Sequence, residues 1–276
     1  MPKASSPSTS FGNLSTPAIQ PFAPGVFLEN VSFAYSEEVI FHSLNFTVKS
    51  GQWTCLIGPS GCGKSTLLRL ISGSLRQGLS GEIRFSNGNR HDGLCAWMAQ
   101  KDLLLPWLTV LDNVCLGARL RGEISAAKHE KATLLLEDAG LGAYTNSLPS
   151  ELSGGMRQRV ALLRTLMEER SVILMDEPFS ALDALTRIKL QDLAAKMVKG
   201  TTVLMVTHDP LEALRLGHNI YVMTGRPAQM SKAIIPPGPP PRKPSDPAIV
   251  SLQGELIDRL ARTFHEEFGM GGVDGT

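Results

Sequence analysis

What the chain lacks narrows it before any motif is read. No apolar run approaches the ~18 residues that a membrane-crossing helix needs. The longest candidates, Ser171 to Met175 and Thr202 to Val206, are strand-sized. Cysteine is scarce: Cys55, Cys62, Cys95 and Cys115 form no C-x-x-C pair, and no histidines cluster beside them. That argues against a zinc site or a disulfide framework and favours reduced thiols in a cytosolic protein. Neither sign of charge prevails, since 27 Lys and Arg against 26 Asp and Glu leave a net of +1. A dominant nucleic-acid footprint is therefore not expected, although a local basic patch would be compatible with the total. Residues 1–24 contain no acid and no arginine, and Lys3 is followed by no apolar stretch. They read as a disordered tail rich in Ser, Thr and Pro, with a targeting segment as the alternative. No internal repeat is visible.

What is present is an ordinary globular composition: 42% hydrophobic and 19% charged over 276 residues, enough for one large domain or two small ones. Val26 to Phe33 alternates loosely and Leu44 to Val48 follows, both read as strands. Trp53 to Ile57 is a short apolar run of the kind buried in parallel sheets. Asn87-Gly88 signals a hairpin between Glu82–Phe85 and Leu94–Met98. Residues 101–168 read mostly helical, broken at Pro106, Gly122, Gly140 and Pro149. Strands are expected at Val172–Met175 and Thr202–Val206, with a helix over Leu185–Val198 between them. Strands alternating with helices imply a parallel sheet, and the helical stretch implies a second lobe. Pro236 to Pro241 reads as a stiff linker. Ile249, Leu252, Leu256, Leu260 and Phe264 recur at helical steps, predicting a terminal amphipathic helix. The glycine-rich 269–276 reads as frayed.

Gly58-x-x-x-x-Gly63-Lys64-Ser65 matches the phosphate-binding loop pattern in full, between an expected strand and an expected helix. Glycines let successive backbone N–H groups curl toward phosphate oxygens, and the helix that follows aims its positive end at the same anion. Lys64 would reach the β- and γ-phosphates and the Ser65 hydroxyl would ligate Mg²⁺. A second carboxylate at a strand end is then needed, and Val172-Ile173-Leu174-Met175-Asp176-Glu177 supplies it. Asp176 would serve the hydrated metal and Glu177 the attacking water. Read alone, Asp176-Glu177-Pro178 could equally be a helix start.

Leu152-Ser153-Gly154-Gly155-Met156-Arg157-Gln158-Arg159-Val160 resembles the signature of ABC-family ATPases, and the family's other landmarks occur in order. Gln100 matches the glutamine loop, Ser180-Ala181-Leu182-Asp183 the segment after the second carboxylate, and His208 the switch histidine. Tyr35 matches the aromatic that stacks on adenine. Without that context, His208 would read as a structural histidine and Tyr35 as a packing residue. The other histidines, at positions 42, 91, 129 and 218, read as solvated surface. The resemblance covers about residues 26–230. It implies an α/β fold: a P-loop NTPase (RecA-like) core with a small antiparallel β lobe and an inserted α-helical lobe. The implied layout is an ATP-binding domain over 25–235 with its helical lobe at about 101–168, a Pro-rich linker at 236–247, and a C-terminal amphipathic helix and tail at 248–276.

The resemblance also implies the site. ATP and Mg²⁺ are the expected cofactors. Tyr35, Gly58, Ser60, Gly61, Cys62, Gly63, Lys64, Ser65 and Thr66 would hold the nucleotide. Ser65, Gln100 and Asp176 would hold the metal, and Glu177, His208 and Gln100 would carry the chemistry. Ser153, Gly154, Gly155 and Asp183 would act on ATP across a homodimer, so that each nucleotide is sandwiched between Lys64 of one chain and Ser153 of the other. With one cassette and no membrane span, the pattern resembles the ATP-binding subunit of bacterial importers, peripheral on the cytoplasmic face of the membrane. Such a subunit works with separate permease subunits and a periplasmic or surface solute-binding protein, and with no nucleic acid. The Leu105-Pro106-Trp107 element, Asp183 to Arg187 and Gly225-Arg226-Pro227 look like the nitrate, sulfonate and taurine group, which includes importers of thiamine pyrimidine precursors. His208 to Leu214 leans toward the pyrimidine branch. The apolar stretch around Trp107 either docks a permease or packs inside the helical lobe. A nucleic-acid-linked ABC ATPase is the competing class, and it lacks its marks here: no long coiled coil, no second cassette and no zinc cysteines. A small-molecule kinase would lack Ser153-Gly154-Gly155.

Overall fold

A computed structural model describes residues 23–88 and 93–268, with side chains as far as 261. The tail expected over 1–24 lies outside these residues but for its last two positions, as do His91, the stretch 269–276 and the side chain of Phe264. Val26–Tyr35 (β1) and Glu38–Val48 (β2) pair antiparallel across a tight turn. β2 starts well before Leu44 because Ile40 and Phe41 are buried against the same core. The loose alternation of β1 has a local cause. Asn30 and Ser43 take positive φ of 51° and 48°, the register shifts there, and Asn45 Oδ1 accepts the Asn30 N–H at 3.0 Å. Trp53–Ile57 (β3) is buried throughout and runs through a glycine turn into Lys64–Ser72 (α1). Ser80–Phe85 (β4) returns to β1, giving a three-stranded antiparallel sheet of order β2-β1-β4.

The hairpin expected at Asn87-Gly88 is not formed. The chain does reverse there, with the Gly88 N–H donating to the Phe85 carbonyl at 3.0 Å. Cys95–Met98 (β5), however, leaves for the larger sheet. Ala96 and Met98 are buried in that sheet's core, and this burial, which a turn signal does not encode, selects the partner.

The helical lobe comprises Val110–Val114 (α2), Leu116–Leu120 (α3), Ala126–Asp138 (α4) and Gly154–Leu166 (α5). Thr109, Ser125 and Ser153 cap α2, α4 and α5 by accepting backbone N–H groups at 3.1, 3.2 and 3.3 Å. The chain then alternates: Val172–Asp176 (β6), Ala184–Met197 (α6), Thr202–Val206 (β7), Pro210–Leu216 (α7), Asn219–Thr224 (β8), Gln229–Met230 (β9) and Pro247–Phe268 (α8). Among the described residues the large sheet has the order β5-β6-β7-β3-β8-β9, parallel from β5 through β8. Its central strands bury both faces. Ile173, Met175, Val203 and Met205 join one core, with the helical lobe. Val172, Leu174, Leu204 and Val206 join the other, with α1 and the small sheet. This is why these strands are continuously apolar.

The C-terminal region is fastened rather than spaced away. The proline stretch wraps the buried Arg242 guanidinium, which donates to the carbonyls of Pro236, Pro237, Gly238, Leu214 and Gly217. Beyond it, Ile249 and Leu256 of α8 are buried in the core, and α8 packs on α7.

Candidate functional site

The carboxyl ends of neighbouring parallel strands are where open α/β sheets gather ligand-binding residues. β7 lies between β3 and β6, so three strand ends meet: β3 delivers residues 58–63, β6 delivers Asp176 and Glu177, and β7 delivers Thr207 and His208. The end of β5, next to β6, delivers Gln100.

The 58–63 turn fits around its own lysine. Lys64 is buried, and its ammonium donates to the carbonyls of Gly58 and Pro59 and lies 3.8 Å from the Cys62 sulfur. Gly63 takes φ of +102°, and a Cβ there would stand 2.6 Å from Ile40, so the small sheet itself excludes a side chain. Cys62 is buried under the loop. Ser60 and Gly61 are exposed at its apex, and Ser65 and Thr66 are half-buried in the first turn of α1. Arg226 donates to the Gly61 carbonyl at 3.3 Å and pairs with Glu38. A buried ammonium held by neutral carbonyls, at the head of a helix with no side-chain cap, is built to receive an anion.

Asp176 is buried beneath the loop and bonded to the Ser65 hydroxyl. Desolvation, reinforced by the neighbouring Glu177, raises its pKa; Ser65 and Lys64 pull the other way. A carboxylate, a hydroxyl and an amide oxygen are hard donors. Among the described residues no group of three or more His, Cys, Asp or Glu could hold a metal. Such a sparse oxygen set suits Mg²⁺, which keeps waters and phosphate oxygens, and not zinc.

Glu177 is the centre of a second cluster. Its Oε2 lies 3.2 Å from His208 Nδ1 and 3.5 Å from Gln100 Nε2. Its backbone takes φ of +50°, uncommon for a residue with a side chain. Two bonds hold it there: its N–H donates to the Val206 carbonyl at 2.9 Å, and Gln158 Nε2 donates to its carbonyl at 2.9 Å. Gln158, buried on α5, also accepts the Ala181 N–H at 2.7 Å and donates to the Ser180 hydroxyl. Sequence reasoning quoted Gln158 inside the signature but gave it no role; only its inward position on α5 reveals one. A Cβ on Gly155 would stand 2.9 Å from the Ala181 carbonyl, so the glycine lets α5 close on this loop.

Ser153 and Gly154 are exposed at the start of α5. Asp183 lies apart from the cradle and caps α6, accepting the Thr186 N–H at 3.0 Å; this bond lowers its pKa. Tyr35 is 42% exposed at the end of β1, edge-on to Phe33. His218 is not solvated surface: its Nδ1 accepts the Trp53 N–H at 3.0 Å, and burial lowers its pKa.

The loop after Gln100 is fixed to α5. Arg157 pairs with Asp102 at 3.1 Å, and Arg164 donates to the carbonyls of Asp102 and Leu103. Asn113, fully buried, accepts the Leu105 N–H and donates to the carbonyls of Leu105, Leu108 and Thr109. So braced, the loop turns Leu103 and Trp107 outward at 59% and 71% exposure, which rules against packing of Trp107 inside the lobe.

A family model described as ABC transporter matches residues 41–180. The chain belongs to the ABC transporter family. It is an ATP-binding cassette, an ATPase whose hydrolysis is coupled to transport. An uncharacterized ABC transporter ATP-binding protein of Haemophilus influenzae is 45% identical, covering 85% of this chain and 98% of that relative. An aliphatic sulfonates import ATP-binding protein of Rhodococcus jostii is 40% identical over 86% of this chain and 93% of that relative. A dimeric ATP-binding cassette, solved in a post-hydrolysis state with ADP and Pi bound, superimposes with a TM-score of 0.66. It is 31% identical over 77% of this chain and 99% of its own. These likenesses agree with the α/β cassette fold described above. No helix among the described residues is long and apolar enough to cross a membrane.

Proposed function

We propose that this cassette drives import of a small organic sulfonate. It would work as a homodimer on the cytoplasmic face of the inner membrane, with separate permease subunits and a solute-binding protein. The observation that carries the motor reading is the meeting, at adjacent strand ends, of an anion cradle around Lys64, the buried Asp176 and the Gln100–Glu177–His208 cluster. Backbone N–H groups of Gly58 and of Ser60 to Gly63, with Lys64 and the Ser60, Cys62, Ser65 and Thr66 positions, would hold the phosphates, and Tyr35 the adenine. Ser65, Asp176 and Gln100 would hold Mg²⁺, which when bound neutralises charge on the β- and γ-phosphate oxygens. Glu177 would orient the attacking water and take its proton, with His208 and Gln100 fixing the carboxylate. Gln158 would hold the strained backbone that aims it. Ser153, Gly154, Gly155 and Asp183 would complete the site of the second copy. Trp107 and Leu103, held outward on a braced loop, would meet the permease.

The solute class is carried over from the Rhodococcus relative, most of whose length this chain matches. The thiamine-precursor alternative rests chiefly on the resemblance of residues 208–214. Deleting the gene in its native host separates the two. Loss of growth with an alkanesulfonate or taurine as sole sulfur source, restored by the wild-type chain and not by Lys64→Ala, supports the reading. Unimpaired growth on sulfonates together with failure to use a thiamine pyrimidine precursor overturns the solute assignment.

A further inference from the structure

One polar network in the molecule is used by none of these roles. Arg187 on α6 reaches three places at once. Its Nη2 donates to the Leu182 carbonyl at 2.9 Å, its Nη1 pairs with Asp209 Oδ2 at 3.0 Å, and its Nε faces Glu212 Oε1 at 3.5 Å. Leu182 directly precedes Asp183, and Asp209 directly follows His208. Glu212, 4% exposed on α7, accepts the Thr207 hydroxyl at 2.6 Å, and the Asp209 N–H donates to that same hydroxyl at 3.1 Å. Asp209 also caps α7 through the Leu211 N–H at 2.8 Å. His208 itself is 61% exposed and has no wall of its own. Its position follows from the backbone on either side, and both flanking residues are bound into the network.

We infer that Arg187, with Glu212 and Thr207, is a positioning device that sets His208 against Glu177 and ties that setting to the Leu182–Asp183 loop. The assignment rests on the role proposed for His208. Two exposed elements, a loop and a strand end, share one guanidinium, so displacement of either is felt by the other. A half-buried ion pair with Asp209 and a single bond to a backbone carbonyl would be a poor way to gain stability alone, because desolvation offsets much of the attraction. They are well suited to holding geometry.

The test is a double-mutant cycle on the full chain, read by release of radiolabelled phosphate from ATP. Arg187→Ala should lower kcat at least tenfold and leave KM for ATP within twofold. In a His208→Ala background the same substitution should change the rate less than twofold. Thr207→Val, which keeps the shape and removes the hydroxyl, should give the same pattern, and it carries the decision should Arg187→Ala fail to fold. Equal losses in both backgrounds overturn the positioning role, as does a raised KM with unchanged kcat. A His208→Ala chain at the wild-type rate is a different failure: it removes His208 from the site, and the positioning role falls with it.

Discussion

Lys64 and Glu212 are both buried charged residues, and their surroundings assign them opposite consequences. Lys64 is held by two loop carbonyls beside the exposed loop apex, so its loss should leave the fold intact and remove the cradle's charge. Lys64→Ala should lower ATP hydrolysis by at least about a hundredfold, the scale set by losing one preorganised charged contact to a developing anion. Phosphate release at the wild-type rate would refute the assignment. Glu212 is pushed up to about 7, chiefly by burial and further by Asp209, while Thr207, Arg187 and His208 pull it down. Cys55 also faces it from β3. The folded chain therefore keeps a proton that the unfolded chain releases near 4.5. Stability is fully present below the unfolded value and falls as pH rises toward 7, by roughly 3 kcal/mol in all. Glu212→Gln should flatten the melting temperature over that window; an unchanged slope would place the titration elsewhere.

At the scale of elements, α8 and the proline stretch behave as part of the cassette. Removing the Arg242 guanidinium would strand buried carbonyls at 214, 217 and 236, each costing about 1–3 kcal/mol. Allowing for relaxation to about 3 kcal/mol, Arg242→Ala should lower the melting temperature by on the order of 10 °C. A shift under about 2 °C would mean the segment is only loosely attached. Trp107→Ala should do the reverse: no loss of melting temperature or isolated ATPase rate, but weaker assembly with the permease in co-purification. A destabilised isolated chain would return Trp107 to a packing role. Composition and local spacing made part of this visible beforehand. The period of Ile249, Leu252 and Leu256 marks a helix, and the apolar runs ending at Ile57, Met175 and Val206 mark buried strands, because both faces of the sheet are covered. The partner of β5 was not visible, since a turn encodes reversal and not pairing. The wrapping of Arg242 was hidden as well: prolines look like a rigid spacer until a distant carbonyl row is placed beside them. At the site, glycines and carboxylates carry their own signal, whereas Gln158 acts on backbone atoms about twenty residues along the chain, and Arg187 on carboxylates equally far away, and neither leaves one.

At the scale of the whole molecule, two exposed places would each serve as a half-site. The cradle at the end of β3 offers Lys64, and the start of α5 offers Ser153 and Gly154 to solvent, a helix of 13 residues with no acid in its first turn. If each ATP is held by both half-sites, two copies must meet head to tail, and nucleotide should act as the glue. Binding selects the state that makes both phosphate contacts, by about 2.7 kcal/mol at a hundredfold excess over Kd. Hydrolysis would continually dissolve that state, so it must be blocked. Glu177→Gln keeps the shape and the contact with His208 while removing the charge that acts on water. Such a chain should run as a monomer without nucleotide and as a dimer with ATP in size-exclusion chromatography. ADP should leave it monomeric, because the γ-phosphate is the group both halves share. Ser153→Arg in the same chain should restore the monomer with ATP, its cation filling the place of the anion. An ATP dimer that survives Ser153→Arg would mean that the start of α5 takes no part in the interface. A Glu177→Gln chain that hydrolyses ATP at the wild-type rate would remove Glu177 from the chemistry altogether.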